Sequence, residues 1–340
     1  MKKMWAIMVY LGEKMWARSP ETLRFDYEVW NNIVNKALEE GLDTIVLDCG
    51  EGIRYKSCPH LAVKGSYTPE AWNKEVKRVK ALGLNIIPKL NFSAGHDLWF
   101  EEFGREKMST PEYYEVCKNL IHELYEIFDA PEYIHLGLDE ESPDIASPEN
   151  FYRTGKKYLE DYKYLVDCVK ETGATPCFWN SPFLHYEEAY DYFDTDCVIY
   201  SEMYYTFKKE EWTKIEDQDQ WVKDYYAGPF KTRELYPLYV EKYGDVPIEY
   251  VEQDPVVEVT IRKREEYAAK GYKFVAAMSN IFIKTNDRAT VEYYHDSPIE
   301  ESVAGYFACP WVPTIKGESE KAILEEIALL GAAKREFYGE

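Results

Sequence analysis

Eight short apolar runs alternate with eight amphipathic stretches along the chain, and this alternation most limits the possible folds. The apolar runs predict strands at about 4–11, 43–49, 84–90, 132–138, 174–180, 196–203, 272–280 and 304–311. The amphipathic stretches predict helices at about 26–40, 68–82, 111–128, 150–172, 185–194, 255–270, 287–301 and 319–337. An open doubly wound sheet is the alternative. Eight strand–helix units, which extend to both ends of the chain, favour a closed barrel instead. We therefore predict the fold class α/β, as a (β/α)8 TIM barrel.

Residues at the ends of the predicted helices support several of these boundaries. Thr68 and Thr110 are each followed by a proline, and this pair is typical of a helix N-terminus. Glycines, which readily adopt the left-handed conformation that ends a helix, follow four of the predicted helices: Gly41, Gly83, Gly173 and Gly271.

The chain length could hold one large domain or two small ones. It has 340 residues, of which 46% are apolar, enough for a packed core. We predict a single (β/α)8 domain over 1–340 with an aromatic-rich insertion at about 204–254, after the sixth strand. Loops that follow barrel strands rise on the catalytic face, so this insertion is expected to wall a substrate cleft. A dimer contact or a self-packed excursion is the alternative.

The charge and the aromatic content limit the possible partners. The formal net charge is −22. A field of this sign repels nucleic acid phosphates and anionic lipid surfaces, so we expect neither nucleic acid nor membrane partners. The 30 Tyr and 9 Trp residues instead offer flat apolar faces and hydrogen-bonding groups that suit a carbohydrate substrate.

The seven Cys residues are scattered without a C-x-x-C spacing, which indicates neither a zinc site nor a disulfide framework. We expect no cofactor, no metal and a reducing, cytoplasmic location. The apolar run within 1–11 lacks a small-residue cleavage pattern and is needed as the first strand, although a leader removed from the natural gene product would leave no trace. No run is long enough to span a membrane.

The fourth predicted strand ends in three consecutive carboxylates, Asp139, Glu140 and Glu141. A charge run is more often a solvated loop, but the carboxyl ends of barrel strands form the catalytic face. We interpret Asp139 and Glu140 as a catalytic pair that cleaves glycosidic bonds. Such cleavage needs an acid for the leaving oxygen and a second group that stabilises or traps the anomeric carbon.

Glu140 is the expected acid, because burial and the neighbouring Asp139 both raise the pKa of a carboxyl group. Adjacent side chains on an ideal strand point to opposite faces. Their convergence therefore requires a turn at the tip, which the following Ser142-Pro143-Asp144 favours.

Two segments upstream of the carboxylate run carry motifs that can be compared with a known family. Residues 65–70 read Gly-Ser-Tyr-Thr-Pro-Glu, and residues 86–96 read Ile-Ile-Pro-Lys-Leu-Asn-Phe-Ser-Ala-Gly-His. Together with His-Leu-Gly-Leu-Asp-Glu at 135–140, they resemble glycoside hydrolase family 20, the β-N-acetylhexosaminidases. The motifs of that family are G-x-Y-T, I-P-E-I-D with P-G-H, and H-x-G-G-D-E. The resemblance covers about 40–141, and three motifs in the right order are more specific than any one.

The resemblance implies an exo-acting enzyme with a substrate-assisted retaining mechanism. Glu140 would be the general acid/base. Asp139 would orient the 2-acetamido group, whose carbonyl oxygen attacks the anomeric carbon. His96 and His135 match histidines in and behind the pocket of the family, and a purely structural histidine is the alternative for each.

Residues after other strands would complete the pocket. By the resemblance, Trp179 and Trp311 line the pocket that holds the terminal sugar. A polar rim that binds hydroxyl groups is expected from residues beyond the sixth and second strands: Glu202, Tyr204, Asp48, Glu51 and Arg54.

The sequence departs from the family pattern at several positions. Leu138 replaces a motif glycine and Ala94 a proline, while Lys89 and Asn91 replace acids of the third strand. The seventh strand has no evident tyrosine for the acetamido carbonyl, and Val312 stands where a glutamate commonly holds sugar hydroxyls. The catalytic pair is therefore present while the recognition set differs, which leaves substrates other than a terminal N-acetylglucosamine open.

Other functions also stay open. A substrate without an acetamido group would need a protein nucleophile such as Glu202, about 5–5.5 Å from the acid. A barrel that binds carbohydrate without turnover is a second possibility. A phosphate- or cofactor-dependent barrel needs a glycine-rich site after the last two strands, which the sequence lacks. A metal-dependent hydrolase could use four residues as ligands, but they lack a compact ligand spacing: Asp48, His96, Asp139 and Glu140.

Overall fold

A closed barrel of eight parallel strands forms the centre of the protein. The computed structural model describes residues 2–14, 20–139, 141, 153–202, 204, 255–280 (backbone only over 255–260) and 285–339. The strands follow one another around the barrel in chain order, and the last pairs with the first. They are β1 Met4–Tyr10, β2 Thr44–Asp48, β3 Asn85–Lys89, β4 Tyr133–His135, β5 Thr175–Trp179, β6 Val198–Glu202, β7 Lys273–Met278 and β8 Val303–Ala308. The predicted (β/α)8 TIM barrel is confirmed.

Helices connect the strands. In the described part of the chain they are α1 Tyr27–Glu39, α2 Pro69–Ala81, α3 Pro111–Ile127, α4 Gly155–Thr172, α5 Ser181–His185, α6 Ala189–Tyr192, α7 Pro255–Ala269, α8 Asn286–His295 and α9 Glu318–Tyr338. The helix predicted at 185–194 is wrong in extent, because two short helices, α5 and α6, take its place. The helix predicted at 287–301 ends early, at His295, and a 3-10 turn follows at Glu300–Ser302.

The predicted helix ends are present. The Oγ1 atom of Thr68 accepts a hydrogen bond from the backbone N–H of Ala71 at 3.2 Å, and that of Thr110 accepts one from Tyr113 at 3.3 Å. The four glycines predicted to follow helices all have a positive φ. Local capping therefore fixes several of the boundaries that the sequence predicts.

Strand side chains alternate between two cores. The first fills the barrel interior and includes Met8, Ile87 and Phe307. The second lies between the barrel and the helices and includes Trp30 and Trp72. At the carboxyl end of the strands the interior core gives way to buried polar side chains: Asp48, Lys89 and His135.

Strand β4 is shorter than predicted. It ends at His135, whereas the sequence predicts a strand over 132–138. The reason is that Gly137 and Leu138 have φ values of 74° and 65°, and this left-handed conformation cannot continue a strand. The backbone carbonyl of Gly137 still accepts a hydrogen bond from Trp179 at 2.9 Å, so the turn stays joined to β5.

Leu138 adopts a conformation that is unfavourable for a residue with a Cβ atom, by about 1–2 kcal/mol. Its side chain is fully buried, with 0% exposure. Burial of a leucine contributes about 1.5–3 kcal/mol, which offsets the backbone cost. The turn after β4 is therefore stable although a glycine is absent from its second position.

Residues 205–254 and 142–152 lie outside the described part of the chain, so the single-domain organisation with its insertion stays a prediction. The seven cysteines are buried and free. No described helix combines the length and the apolar character needed to cross a bilayer.

Gly137→Ala is expected to destabilise the protein more than Gly83→Ala. Both glycines have a positive φ, 74° and 99°, so alanine incurs a similar backbone cost of about 1 kcal/mol at each. A Cβ atom at Gly137 would lie 2.1 Å from Oδ1 of Asn91, whereas one at Gly83 would meet no heavy atom within 4 Å. Over-packing adds about 1–3 kcal/mol. Urea unfolding measures both losses, and equal losses would contradict the close approach of Asn91.

Candidate active site

Asp139 lies at the tip of β4, against the loop that follows β3. Its Oδ1 accepts hydrogen bonds from Nδ2 of Asn91 at 2.7 Å and from Oγ of Ser93 at 3.1 Å. The backbone N–H of Asp139 donates to the same Ser93 Oγ at 2.7 Å. The side chain of Asp139 is only 7% exposed, so this loop fixes its orientation.

Neighbouring groups keep Asp139 ionised. Burial by itself would raise the pKa of this carboxyl group. The positive charge of the His96 ring, the Lys89 ammonium and the hydrogen bond from Asn91 together outweigh burial, and the pKa of Asp139 is lowered. Nε2 of His96 lies 3.8 Å from Oδ2 of Asp139. Asp139 is therefore a negatively charged hydrogen-bond acceptor at the carboxyl end of the barrel.

Asp48 and Lys89 form an ion pair inside the barrel. They are direct neighbours in the register of β2 and β3, and Nζ of Lys89 donates to Oδ2 of Asp48. Each side chain is only 2% exposed. Burial raises the pKa of Asp48 more than the Lys89 charge lowers it. The sequence predicts Asp48 on a hydroxyl-binding rim, but its carboxylate is instead engaged by Lys89, which stands where the resembling family has an acid.

The other residues predicted beyond β2 are separate from this ion pair. Glu51 is buried, and its oxygens accept the backbone N–H groups of Glu13 at 2.9 Å and Lys14 at 3.0 and 3.1 Å. Glu51 therefore anchors the loop that follows β1. The Arg54 side chain is exposed, and it forms no ion pair with another described residue.

His135 ends β4 and faces the barrel interior. Its Nδ1 accepts the backbone N–H of Gly137 at 3.0 Å, which assigns the ring proton to Nε2. Burial, reinforced by the charge of Lys89, holds the pKa of His135 well below its usual range. The ring packs edge-on against Tyr200 and Trp179, with centroids 4.5 and 5.4 Å away. His135 is therefore a neutral side chain that supports the turn after β4.

Two tryptophans predicted for the pocket and one tyrosine predicted for its polar rim lie together. Trp179, at the end of β5, is fully buried. Its ring lies 5.9 Å from that of Trp311, which follows β8. Tyr204, just beyond β6, stands edge-on to Trp311 at 6.0 Å. These rings form one aromatic cluster, in which Trp311 and Tyr204 are partly exposed and Trp179 lies behind them, and the binding of a sugar to it stays a prediction.

Glu202 ends β6 and is partly buried. Tyr200, two residues earlier, belongs to the core inside the barrel, so strand alternation turns Glu202 to the same face. A further carboxyl group is thus directed towards the interior at the carboxyl end of the strands.

Sequence reasoning missed a buried ion pair between Glu141 and Arg153. Oε1 of Glu141 accepts the backbone N–H of Arg153 at 2.5 Å and its Nε at 2.9 Å, and Oε2 accepts Nη2 at 2.7 Å. Oε2 also accepts the Tyr162 hydroxyl at 2.6 Å and the backbone N–H of Ala94 at 3.1 Å. The place of Glu141 in the carboxylate run was a visible signal, but no motif pointed to Arg153.

Asp97 lies close to this ion pair and is buried. Burial, and then the negative charge of Glu141, raise the pKa of Asp97 to about 8. Asp97 is therefore mainly protonated at neutral pH and adds little negative charge beside Glu141.

Glu140, the predicted acid, lies outside the described residues, as do Ser142-Pro143-Asp144. Its neighbours in the chain, Asp139 and Glu141, are both held by hydrogen bonds. Within the described ranges, no group of three or more His, Cys, Asp or Glu residues is arranged to hold a metal ion.

No family model matches the sequence, and no curated protein matches it. Solved structures match its fold. The glycoside hydrolase family 20 exo-β-N-acetylglucosaminidase from Vibrio harveyi has a TM-score of 0.57 and 13% identity, over 96% of this chain and 54% of that one. The pneumococcal exo-β-D-N-acetylglucosaminidase has a TM-score of 0.58 and 17% identity, over 98% and 85%. The β-N-acetylhexosaminidase from Bacteroides fragilis has a TM-score of 0.60 and 12% identity, over 99% and 68%.

At these identities the likeness shows a shared fold. It extends over nearly all of this chain, which spans about half the length of the Vibrio harveyi enzyme. The barrel is therefore similar to those of family 20 enzymes, while activity and substrate have to be argued from the site.

Lys89→Met is expected to destabilise the protein by about 3–5 kcal/mol, because Asp48 would remain as an unpaired charge inside the barrel. Adding Asp48→Asn to this variant is expected to recover much of the loss, since neither charge is then left alone. Chemical denaturation of the two single variants and the double variant gives the coupling energy. Strictly additive losses would mean that the two side chains do not stabilise each other.

Asn91→Asp is expected to raise the pKa of Asp139, because a second carboxylate would lie where Asn91 now donates at 2.7 Å. In the wild type the lowered pKa of Asp139 stabilises the fold above the unfolded pKa of about 3.9. This contribution is lost as the pH falls through the folded pKa. In the variant the repulsion removes it, so stability at neutral pH falls and part of it returns on acidification.

The measurement is the free energy of unfolding of both proteins between about pH 4 and pH 7. Asn91→Ala is the control, because it removes the hydrogen bond without adding a charge. If Asn91→Asp and Asn91→Ala lose equal stability at every pH, the carboxylate at position 91 does not interact with Asp139.

Proposed function

We propose that this protein is a glycoside hydrolase of the exo-acting β-N-acetylhexosaminidase type, with Asp139 and Glu140 as its catalytic pair. The observation that carries the proposal is the ionised Asp139, held by the loop after β3 at the catalytic end of the barrel. The aromatic cluster of Trp179, Trp311 and Tyr204 and the fold shared with family 20 enzymes support it.

In the proposed first step, the Glu140 carboxyl group gives its proton to the glycosidic oxygen. The carbonyl oxygen of the 2-acetamido group attacks the anomeric carbon, and the bond to the leaving oxygen breaks with its electron pair. In the second step, the Glu140 carboxylate takes a proton from water, whose oxygen opens the cyclic intermediate at the anomeric carbon. Two inversions give net retention, and no protein nucleophile is required.

Asp139 suits the acetamido group for an electrostatic reason. As the carbonyl oxygen attacks, positive charge develops on the acetamido nitrogen, and a fixed carboxylate stabilises that charge. Oδ1 of Asp139 already accepts from Asn91 and Ser93, while Oδ2 lies 3.8 Å from His96, beyond hydrogen-bond distance. Oδ2 is therefore the oxygen that we assign to the substrate N–H.

The remaining candidate residues receive roles from their positions. We propose that Trp311 and Tyr204 contact the sugar ring, with Trp179 behind them. His96 would position Asp139 through its charge, and His135 would hold the turn after β4. Arg54 and Glu202 are the proposed contacts for sugar hydroxyl groups.

The inward direction of Glu202 favours one alternative. If the substrate lacks an acetamido group, Glu202 would attack the anomeric carbon and form the covalent glycosyl intermediate that Glu140 then helps to hydrolyse. A barrel that binds carbohydrate without turnover is the other alternative, in keeping with the altered recognition residues.

The free, buried thiols of the seven cysteines support a reducing compartment, and we propose the cytoplasm. The net charge of −22 supports a carbohydrate substrate rather than nucleic acid or an anionic membrane as the partner.

Wild-type protein is expected to release the chromophore from an aryl β-N-acetylglucosaminide or an aryl β-N-acetylgalactosaminide. Glu140→Gln is expected to lower kcat/KM by about 10²–10⁴-fold, because glutamine has no proton to give. The loss should be larger for an alkyl aglycone, a poor leaving group that needs the acid more. Glu132→Gln, at the opposite end of β4, is the matched control and should keep wild-type activity.

Each other outcome has a distinct meaning. Turnover of an aryl β-glucoside alone, abolished by Glu202→Gln, would replace the acetamido mechanism with the protein nucleophile. Carbohydrate binding without turnover would support the inactive barrel. A Glu140→Gln variant that retains full activity on the alkyl substrate would remove Glu140 from the mechanism.

A further inference from the structure

One buried ion pair links four separate segments around the tip of β4. Glu141 and Arg153 are 2% and 5% exposed, and three of the hydrogen bonds to Glu141 come from Arg153. Arg153 also donates from Nη1 to the Tyr113 hydroxyl on α3 at 2.9 Å and from Nη2 to the backbone carbonyl of Phe92 at 2.9 Å. The Tyr162 hydroxyl on α4 donates to Glu141 at 2.6 Å. The pair thus joins α3, α4, the loop after β3 and the tip of β4.

The loop after β3 is held on two sides. Its backbone at Phe92 and Ala94 bonds to the ion pair, through the Phe92 carbonyl and the Ala94 N–H. The intervening side chains, Asn91 and Ser93, bond to Asp139. The ion pair and Asp139 therefore share one short segment of backbone, and any movement of that segment changes the position of both hydrogen-bond donors to Asp139.

The cost of burying the pair indicates that it does more than add stability. Removing two charges from water is unfavourable, and apolar residues of similar size often stabilise a core at least as well. Apolar residues could not, however, bind a backbone N–H and a backbone carbonyl of the loop at fixed distances. The ion pair therefore fixes the geometry of the loop after β3, which an apolar pair would not do.

We propose that Glu141 is a positioning residue for the reaction: together with Arg153 it locks the loop after β3 against the tip of β4, and so fixes Asp139 in its reactive geometry. This inference rests on the proposed function and extends it to the third carboxylate of the run. Glu141 itself does not touch the substrate or give a proton, because its oxygens are already used by the protein.

The surroundings of Glu141 make a test practical. In Glu141→Gln the charge beside Asp97 disappears, which removes one of the two main causes of the raised pKa of Asp97. Asp97 can then ionise more readily and supply a negative charge near Arg153. The chain is therefore expected to stay folded. Glutamine has one side-chain oxygen where Glu141 has two, so the hydrogen bonds from Arg153 and from Ala94 can no longer both be kept as they are.

Glu75→Gln is the matched control. Glu75 is also a buried carboxylate that pairs with an arginine, Arg78 at 2.6 Å, and accepts a tyrosine hydroxyl, Tyr27 at 2.8 Å. It lies on α2, in the layer outside the barrel. Tyr27→Phe and Tyr162→Phe form a second matched pair, because each removes a single hydroxyl from its buried carboxylate.

The first measurement is steady-state kinetics of the folded variants on the aryl substrate that the wild type cleaves. Glu141→Gln is expected to lower kcat by about 10–100-fold, the effect of displacing reacting groups by about 1 Å, with KM within about threefold of the wild type. Tyr162→Phe should show a smaller loss of the same kind, and Glu141→Asp should recover part of it. Glu75→Gln and Tyr27→Phe should keep the wild-type kcat.

The second measurement is amide hydrogen exchange, which requires no activity. Glu141→Gln is expected to speed exchange at Ala94 and at Asp139, whose N–H groups bond to Glu141 and Ser93, and Glu75→Gln is not. Unchanged kcat or unchanged exchange in folded Glu141→Gln would overturn the inference while the proposed function stands. A wild type without glycosidase activity would overturn the proposed function, and the exchange rates would still decide whether Glu141 locks the loop.

Discussion

The left-handed turn at Gly137 and Leu138 is the constraint on which the rest of the site depends. It ends β4 after three residues and turns the chain so that the Asp139 N–H reaches Ser93. A strand that continued to residue 138 would send alternate side chains to opposite faces. The turn replaces that alternation with a conformation in which Asp139 and Glu141 both bond to the loop after β3. Burial of Leu138 stabilises the turn by about as much as, or more than, its backbone conformation costs.

Lys89 influences the protonation of three other side chains at the carboxyl end of the barrel. Lys89 neutralises Asp48 inside the barrel, and its remaining field reaches both Asp139, whose pKa it lowers, and His135, whose protonation it opposes. Asn91 supplies a neutral donor to Asp139 where an acid would repel it. Lys89, at the end of β3, and Asn91, in the loop after it, therefore act in the same direction. Both favour an ionised Asp139 in a site from which water is largely excluded.

The periodicity of the chain was enough to predict the barrel, because each unit pairs an apolar run with an amphipathic stretch, and several units add a capping threonine or a terminating glycine. It was not enough to predict that β4 is short, since Leu138 reads as an apolar strand residue and its left-handed φ follows from the packing around it. The tip of β4 was predictable as a candidate site because the carboxylates follow an apolar run. The bond between Glu141 and Arg153 was not, because its geometry depends on how α4 packs against the loop after β3, and no local pattern encodes that packing.

Lys89 departs from the family pattern, and its pairing with Asp48 gives the departure a structural reason. In the sequence, Lys89 counts as the loss of an acid that would contact substrate. In the register of β2 and β3 it becomes the direct partner of Asp48, so the two positions have to be considered together. A lysine without Asp48 would bury an unpaired cation, and Asp48 without the lysine would bury an unpaired anion, each strongly unfavourable. Lys89 and Asp48 therefore form an internally consistent charge arrangement, and neither side chain can be interpreted without the other.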